Sequence, residues 1–278
     1  MTIILRDKAS LRAWRAKVTE GTRVGFVPTM GALHEGHMSL MAQARSEADV
    51  VVASIFVNPL QFGAGEDLAR YPRDLEGDRE KLAATGVDLL FAPEANEIYP
   101  DGFTTTIDVG SVAEGFEGAL RPGHFRGVAT VVGKLLHLVA PQRLYVGQKD
   151  AQQSAVLRRL VRDLAFDCTV SIVPTVRETD GLAMSSRNVY LDERERRAAP
   201  SLHRTLRRFV ELMQAGRSVE VARTEASAVL EAPGKLDYLA CVDAESFAPL
   251  ATLRANAFAI AAAHFGRTRL LDNLWFPQ

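Results

Sequence analysis

Two histidines three residues apart, His34 and His37, lie in the stretch FVPTMGALHEGHMSL, Phe26 to Leu40. An apolar run ends at Pro28, Gly31 precedes the histidines, Gly36 separates them, and a helical pattern starts at His37. A strand-to-helix junction of this kind offers backbone N–H groups and the positive end of a helix dipole, which suits a phosphate. The glycines let backbone approach a ligand closely. Imidazoles there can donate to phosphate oxygens, and a protonated ring would also offset charge. The plainer reading is a pair of surface loop histidines, but strand, glycines and helix start all coincide with them. Zinc fits poorly. The metallohydrolase helix needs histidines four apart with a carboxylate beside the first, whereas here the spacing is three and Gly36 intervenes.

A second constellation is YVGQKDAQQ, Tyr145 to Gln153. A strand ends at Gly147 and a helix begins near Lys149, whose ammonium can meet a phosphate as a point charge. Asp150 and Gln153 also fit a capping box, a purely structural role. A third is TDGLAMSSRNV, Thr179 to Val189, where Ser185, Ser186 and Arg187 could clamp a triphosphate. The same Ser-Ser-Arg also makes an ordinary solvated turn. Asn58 and Gln61 in NPLQF end a strand and could face a ligand crevice. Arg121, His124 and Arg126 in LRPGHFRGV stand on a Pro-Gly loop that could reach an anionic substrate. Other nucleotide signatures fail. GVATVVGKLL lacks the earlier P-loop glycine and has Leu135 in place of Ser/Thr, and GAGEDL breaks the dinucleotide pattern at its last position.

These segments need elements to hold them. Apolar runs without polar alternation, RVGFVPT, DVVVASIFVNP, VDLLFAP, RLYVG and DCTVSIVPTV, read as buried strands. Helical patterns follow them, in HMSLMAQARSEA, DLEGDREKLAATG and DAQQSAVLRRLVRDL, while RGVATVVGKLLHLVAP precedes RLYVG. That alternation predicts a doubly wound parallel sheet of Rossmann-like type covered on both faces. After Val176 the texture changes. RETDGLAMSSRNVYL has no periodicity, a long basic helix is expected over DERERRAAPSLHRTLRRFVELMQAG, then a shorter helix and two or three strands. The expectation is a domain over residues 1–176 and a smaller α+β domain over 177–278, with the change somewhere in 176–188.

Composition sets limits. The 278 residues are 47% hydrophobic with a formal net charge of −1, so bulk electrostatics favour neither nucleic acid nor an anionic membrane. Arg6 and Asp7 break any signal-peptide core, and the run Ala48–Val57 is too short to span a bilayer. Cys168 and Cys241 lie in apolar runs and read as buried thiols of a cytoplasmic protein.

The segments PTMGALHEGHMSL, VNPLQF, RPGHFRGV, GQKDAQQ, GLAMSSRN and RLLDN, in this order, resemble the signature segments of the pantoate–β-alanine ligase family. The histidine motif is similar to that of the wider nucleotidyltransferase superfamily, and MSSR resembles the mobile loop of class I aminoacyl-tRNA synthetases. The resemblance implies condensation of (R)-pantoate with β-alanine, driven by Mg-ATP through a pantoyl adenylate, with Mg2+ carried by ATP and no dedicated protein metal site. It places ATP contacts on Met30, Gly31, His34, His37, Gly147, Lys149, Asp150, Val176, Met184, Ser185, Ser186 and Arg187, with the histidines, Lys149 and Ser185–Arg187 catalytic. It places pantoate on Gln61 and Gln153, and it implies a homodimer joined through the N-terminal module. The alternatives are a plain nucleotidyltransferase, a synthetase-like protein with an RNA surface, and a non-catalytic nucleotide sensor. NPLQF and AQQ favour the ligase, neutral charge and a short second domain argue against RNA, and Lys149 with both histidines argues against a sensor.

Overall fold

Apolar runs buried on both faces build the first sheet. The computed structural model describes residues 2–276. In chain order its first part runs β1 (Ile3–Leu5), α1 (Lys8–Arg15), β2 (Val24–Thr29), α2 (Glu35–Glu47), β3 (Val50–Ile55), α3 (Leu75–Ala84), β4 (Leu89–Phe91), α4 (Ala95–Ile98), α5 (Glu117–Leu120), α6 (His124–Val139), β5 (Arg143–Gly147), α7 (Ala151–Asp163) and β6 (Thr169–Val173). The six strands are all parallel in the order β1-β4-β3-β2-β5-β6. Val24, Phe26, Val52, Leu89 and Phe91 enter one core with Val128, Leu135, Leu157 and Leu160 of α6 and α7. Val27, Val51, Ala53 and Leu90 point the other way, into a second core with Met38, Met41 and Ala44 of α2 and Leu82 of α3. Both faces are covered, as strands without polar alternation require. The order reverses between β2 and β5, and in such sheets ligands collect at the carboxyl ends beside that switch point. β1 was not anticipated as a strand. Its three residues pair only with β4 at the sheet edge, too short a run to carry a periodic signal.

The second part runs α8 (Glu193–Ala198), α9 (Ser201–Gln214), α10 (Val219–Ser227), β7 (Lys235–Asp243), β8 (Ala257–Phe265) and β9 (Thr268–Phe276). The strands form an antiparallel sheet in sequence order. Ala257, Ala259, Ala261 and Ala263 of β8 pack with Leu202, Leu206 and Phe209 of α9. Small side chains there let a helix lie close on the sheet. The single long basic helix expected from residue 192 is two helices, because Pro200 stands between them. Proline has no N–H to continue the ladder, and its ring collides with the preceding turn.

Contacts divide the chain into two units. The first is Met1–Gly147 with Val156–Val173, and the second is Gln148–Ala155 with Pro174–Gln278. The changeover thus falls just before the 176–188 stretch read from composition, and the second unit also takes the segment that carries Lys149. Cys241 is buried and Cys168 half-buried, neither in a disulfide. Among the described residues no helix is long and apolar enough to cross a membrane.

One close approach in the first unit is testable. A Cβ on Gly127 of α6 would lie 2.3 Å from Leu60 O and 2.6 Å from Gln61 N. Gly127→Ala should therefore displace the Leu60–Gln61 backbone and cost about 1–3 kcal/mol, as overpacking does. Denaturant unfolding of the variant measures it.

Candidate active site

The helix N-terminus of α2 answers why two histidines belong there. First-turn N–H groups have no intrahelical acceptor, so something else must accept from them. His34 is the N-cap, and its Nδ1 accepts from Gly36 N–H at 3.1 Å. His37 returns the bond, its Nδ1 accepting from His34 N–H at 3.3 Å. Together they form a capping box in which imidazoles replace the usual hydroxyl and carboxylate. An Nδ1 that accepts carries no proton, so each ring is neutral with its hydrogen on Nε2. Both rings thereby become donors through Nε2, with centroids 4.2 Å apart. The charge of a protonated ring, allowed by the sequence, is not the state this cap selects.

The loop from Met30 to Leu33 leads into that cap. Gly31 and Ala32 both adopt positive φ, +86° and +51°. The φ of Gly31 favours glycine, and a Cβ there would also sit tightly, 3.1 Å from both Asp78 Oδ2 and Ile55 Cγ2. Asp78, buried in α3, accepts from Ala32 N–H at 2.8 Å and Leu33 N–H at 2.7 Å. Lys81, one turn on, donates to Leu33 O at 2.7 Å. Burial raises the Asp78 carboxyl above the usual carboxylate range, against the opposing pull of those N–H donors and Lys81. Neither residue was singled out from the sequence. In DLEGDREKLAATG they look like any other charges on a polar helix face.

Asn58 and Gln61 are also buried, in a single 3₁₀ turn at Pro59–Gln61. Asn58 Nδ2 donates to Gln61 Oε1 at 2.9 Å and to Gly127 O at 3.1 Å, and Tyr99 O–H donates to Asn58 Oδ1 at 2.7 Å. Gln61 Nε2 reaches Met30 Sδ at 3.1 Å. Gln61 therefore sits in a network that orients its amide, beside the loop that carries Gly31.

Arg121 and His124, read as a loop that could reach an anionic substrate, both meet Gln61 O. Arg121 pairs with Glu66 at 2.6 Å, so a carboxylate already matches its charge. His124 Nδ1 lies 2.8 Å from Gln61 O, and its Nε2 lies 3.1 Å from Arg121 Nη1. A guanidinium can only donate, so Nε2 accepts and Nδ1–H donates to the carbonyl. Burial, with the Arg121 charge adding, pushes His124 down to about 4. Arg126 faces Asp108 at 3.1 Å on the exposed side of α6.

In the second unit, Lys149 Nζ lies 3.1 Å from Asp150 Oδ1. Gln153 is half-buried in the first turn of α7. Gln148 and Lys149 carbonyls both accept from Asn273 Nδ2, at 2.8 and 2.9 Å. The stretch read as an irregular loop holds a small hairpin. Arg177 bridges Ala183, Glu178 N–H donates to Leu182 O at 2.8 Å, and Met184 N–H donates to Val176 O at 3.0 Å, with Gly181 turning at φ +91°. Arg177 grips buried Asp272 with two bonds of 2.7 and 2.8 Å, and His203 Nδ1 lies 2.9 Å from the same carboxylate. Burial would raise the Asp272 carboxyl, but His203 and Arg177 hold it below the usual range. Ser185 then caps a 3₁₀ turn over Ser186–Tyr190 by accepting from Arg187 N–H at 3.2 Å. Residues named from the sequence close the α2 cap, the Gln61 turn and the Ser186 turn themselves, whereas Asp78, Lys81, Arg177 and Asp272, which hold the neighbouring loops, had not been singled out.

A doubly wound parallel sheet with a capped helix start at its switch point defines an α/β protein of the class whose ligands bind at strand carboxyl ends. Residues 3–275 match the family model described as pantoate-beta-alanine ligase. The chain is 52% identical over 277 residues to the pantothenate synthetase of Heliobacterium modesticaldum, covering 98% of each chain. It is 55% identical over 269 residues to that of Thermus thermophilus, covering 96% of each. A crystal structure of the Thermus thermophilus pantothenate synthetase superposes with a TM-score of 0.93 over 99% of this chain and all of that one, at 52% identity. The pantoate-beta-alanine ligase of Francisella tularensis, complexed with beta-gamma ATP and beta-alanine, gives 0.83 at 36% identity, over 99% of this chain and 98% of that one. The chain belongs to the pantoate–β-alanine ligase family.

His124 makes a pH prediction. Its folded pKa of about 4 lies below the ordinary 6.5, so the unfolded chain binds more protons between those values. Stability is full above pH 6.5 and falls as pH drops toward 4, by roughly 3 kcal/mol at most. His124→Gln should flatten that part of a stability–pH curve measured by urea unfolding, with a lower plateau at neutral pH.

Proposed function

We propose that this chain joins pantoate to β-alanine at the expense of ATP, as an AMP-forming ligase acting through a pantoyl adenylate. The observation that carries the reading is the reciprocal histidine cap of α2, which makes two neutral Nε2–H donors at a helix N-terminus. Full-length membership of the ligase family supports the substrates, and the Francisella relative's complex supports ATP and β-alanine as ligands. Magnesium enters as part of the substrate, on the phosphates of ATP.

The chemistry needs an activated carboxylate, because an amine does not displace hydroxide from an acid. Pantoate's carboxylate attacks the α-phosphate of ATP, pyrophosphate leaves, and the acyl adenylate carries AMP as a good leaving group. β-Alanine's amine then attacks the acyl carbon, giving pantothenate and AMP. In the first step charge builds on phosphate oxygens, and fixed donors stabilise it without reorganising. His34 and His37 supply such donors, and Lys149, Ser185, Ser186 and Arg187 add a cation, hydroxyls and a fork of N–H groups. Met30, Gly31, Gly147, Asp150, Val176 and Met184 complete the ATP contacts. Gln61 takes pantoate as a neutral partner, with Gln153, and adds no charge that would compete with the reacting carboxylate. Asn58 orients Gln61, while Arg121 and His124 keep its backbone in place. The protein works in the cytoplasm, and as a homodimer joined through its N-terminal module.

A half-reaction tests this. With Mg-ATP and pantoate but no β-alanine, the protein should exchange labelled pyrophosphate into ATP. Oxygen-18 in the pantoate carboxylate should appear in AMP once β-alanine is added. A plain nucleotidyltransferase would show no exchange that depends on pantoate. His37→Ala should slow the exchange by about 100- to 1,000-fold, the usual loss for one fixed donor to a developing charge. Gln61→Ala should weaken pantoate binding by roughly 1–3 kcal/mol, measured by calorimetry, with ATP affinity unchanged.

A further inference from the structure

Asn273, in the RLLDN segment of β9, is 1% exposed. Its side-chain amide makes three hydrogen bonds, and all go to two consecutive residues. Nδ2 donates to Gln148 O at 2.8 Å and Lys149 O at 2.9 Å, and Oδ1 accepts from Gln148 Nε2 at 3.1 Å. A buried amide can place both N–H bonds and its carbonyl only if the acceptors are held in one arrangement, so the 148–149 backbone is fixed relative to β9. The preceding residue repeats the device on another segment. Asp272 takes both Arg177 bonds, and its Oδ1 also accepts from Asn273 N–H at 2.7 Å. Arg177 begins the hairpin that leads to Ser185 and Arg187. Neighbouring residues on one strand therefore hold, within the second unit, the lysine segment and the Ser-Ser-Arg segment.

We propose that Asn273 is a positioning residue for Lys149, setting where the ammonium stands during adenylation; this rests on the reading of Lys149 as a donor to ATP. Lys149 is linked to β9 through main chain, so the amide acts on the place of its Cα and leaves its charge untouched. Removing the amide leaves two carbonyls without their donor and lets the 148–149 peptide drift. A shift of about 1 Å in a catalytic group costs on the order of 10- to 100-fold in rate.

The test is a double-mutant cycle on pantoate-dependent pyrophosphate exchange, using Lys149→Ala, Asn273→Ala and the pair, with Asn273→Ser as a second probe of the amide. Asn273→Ala should slow exchange by roughly 10- to 100-fold, with the KM for pantoate unchanged. In the Lys149→Ala background the same substitution should cost less than about twofold, because residues that act as one unit are non-additive. A purely structural asparagine would cost the same in both backgrounds, and that result overturns the proposal. So does wild-type exchange in Asn273→Ala, or failure of both Asn273 variants to fold. Wild-type exchange in Lys149→Ala would instead remove the reading of Lys149 itself, and this proposal with it.

Discussion

A helix that begins at the carboxyl end of a strand must find acceptors for its own first N–H groups. In α2 the two histidines meet that demand with Nδ1. Nδ1 of each ring closes the cap, and that bond places the hydrogen on Nε2. Serine or aspartate would cap the helix equally well, but neither would leave a second nitrogen bearing a proton. The rings stand 4.2 Å apart, each tied by Nδ1 to a backbone N–H of the helix start. Gly31, Ala32 and the clamp from Asp78 and Lys81 follow from this, because the loop must arrive at His34 in one conformation.

The same economy recurs in the buried polar residues. Asp78, His124, Asp272 and Asn273 all spend hydrogen bonds on backbone or on a fixed partner. Each lies under a segment that carries a candidate donor. A buried polar group left without a partner costs about 1–3 kcal/mol, so once satisfied these groups resist displacement. They give short loops a precision that apolar packing, which has no direction, does not provide. Arg121 belongs to this set. Its pairing with Glu66 makes it a brace for the Gln61 turn.

Much of the fold was legible because its signals are local. Apolar strand runs, the helices between them and the glycine-bearing junctions are set by neighbours a few residues apart, which is why β2, α2, β5 and α7 fall where periodicity put them. Pro200 was equally local, but the basic and apolar pattern on either side of it masked the break. The candidate donors His34, His37, Lys149 and Ser185–Arg187 were readable from residue type beside a turn. What holds them was not. Asp78 reaches Leu33 across 45 positions, and Asn273 reaches Lys149 across 124. Such pairs share no spacing rule, since only the path of the folded chain brings them together. The sequence by itself determined which side chains could do the chemistry and which elements carry them. The tertiary structure alone decided the pairing of Arg121 with Glu66 and the grip of Asn273, because each depends on where a distant partner stands.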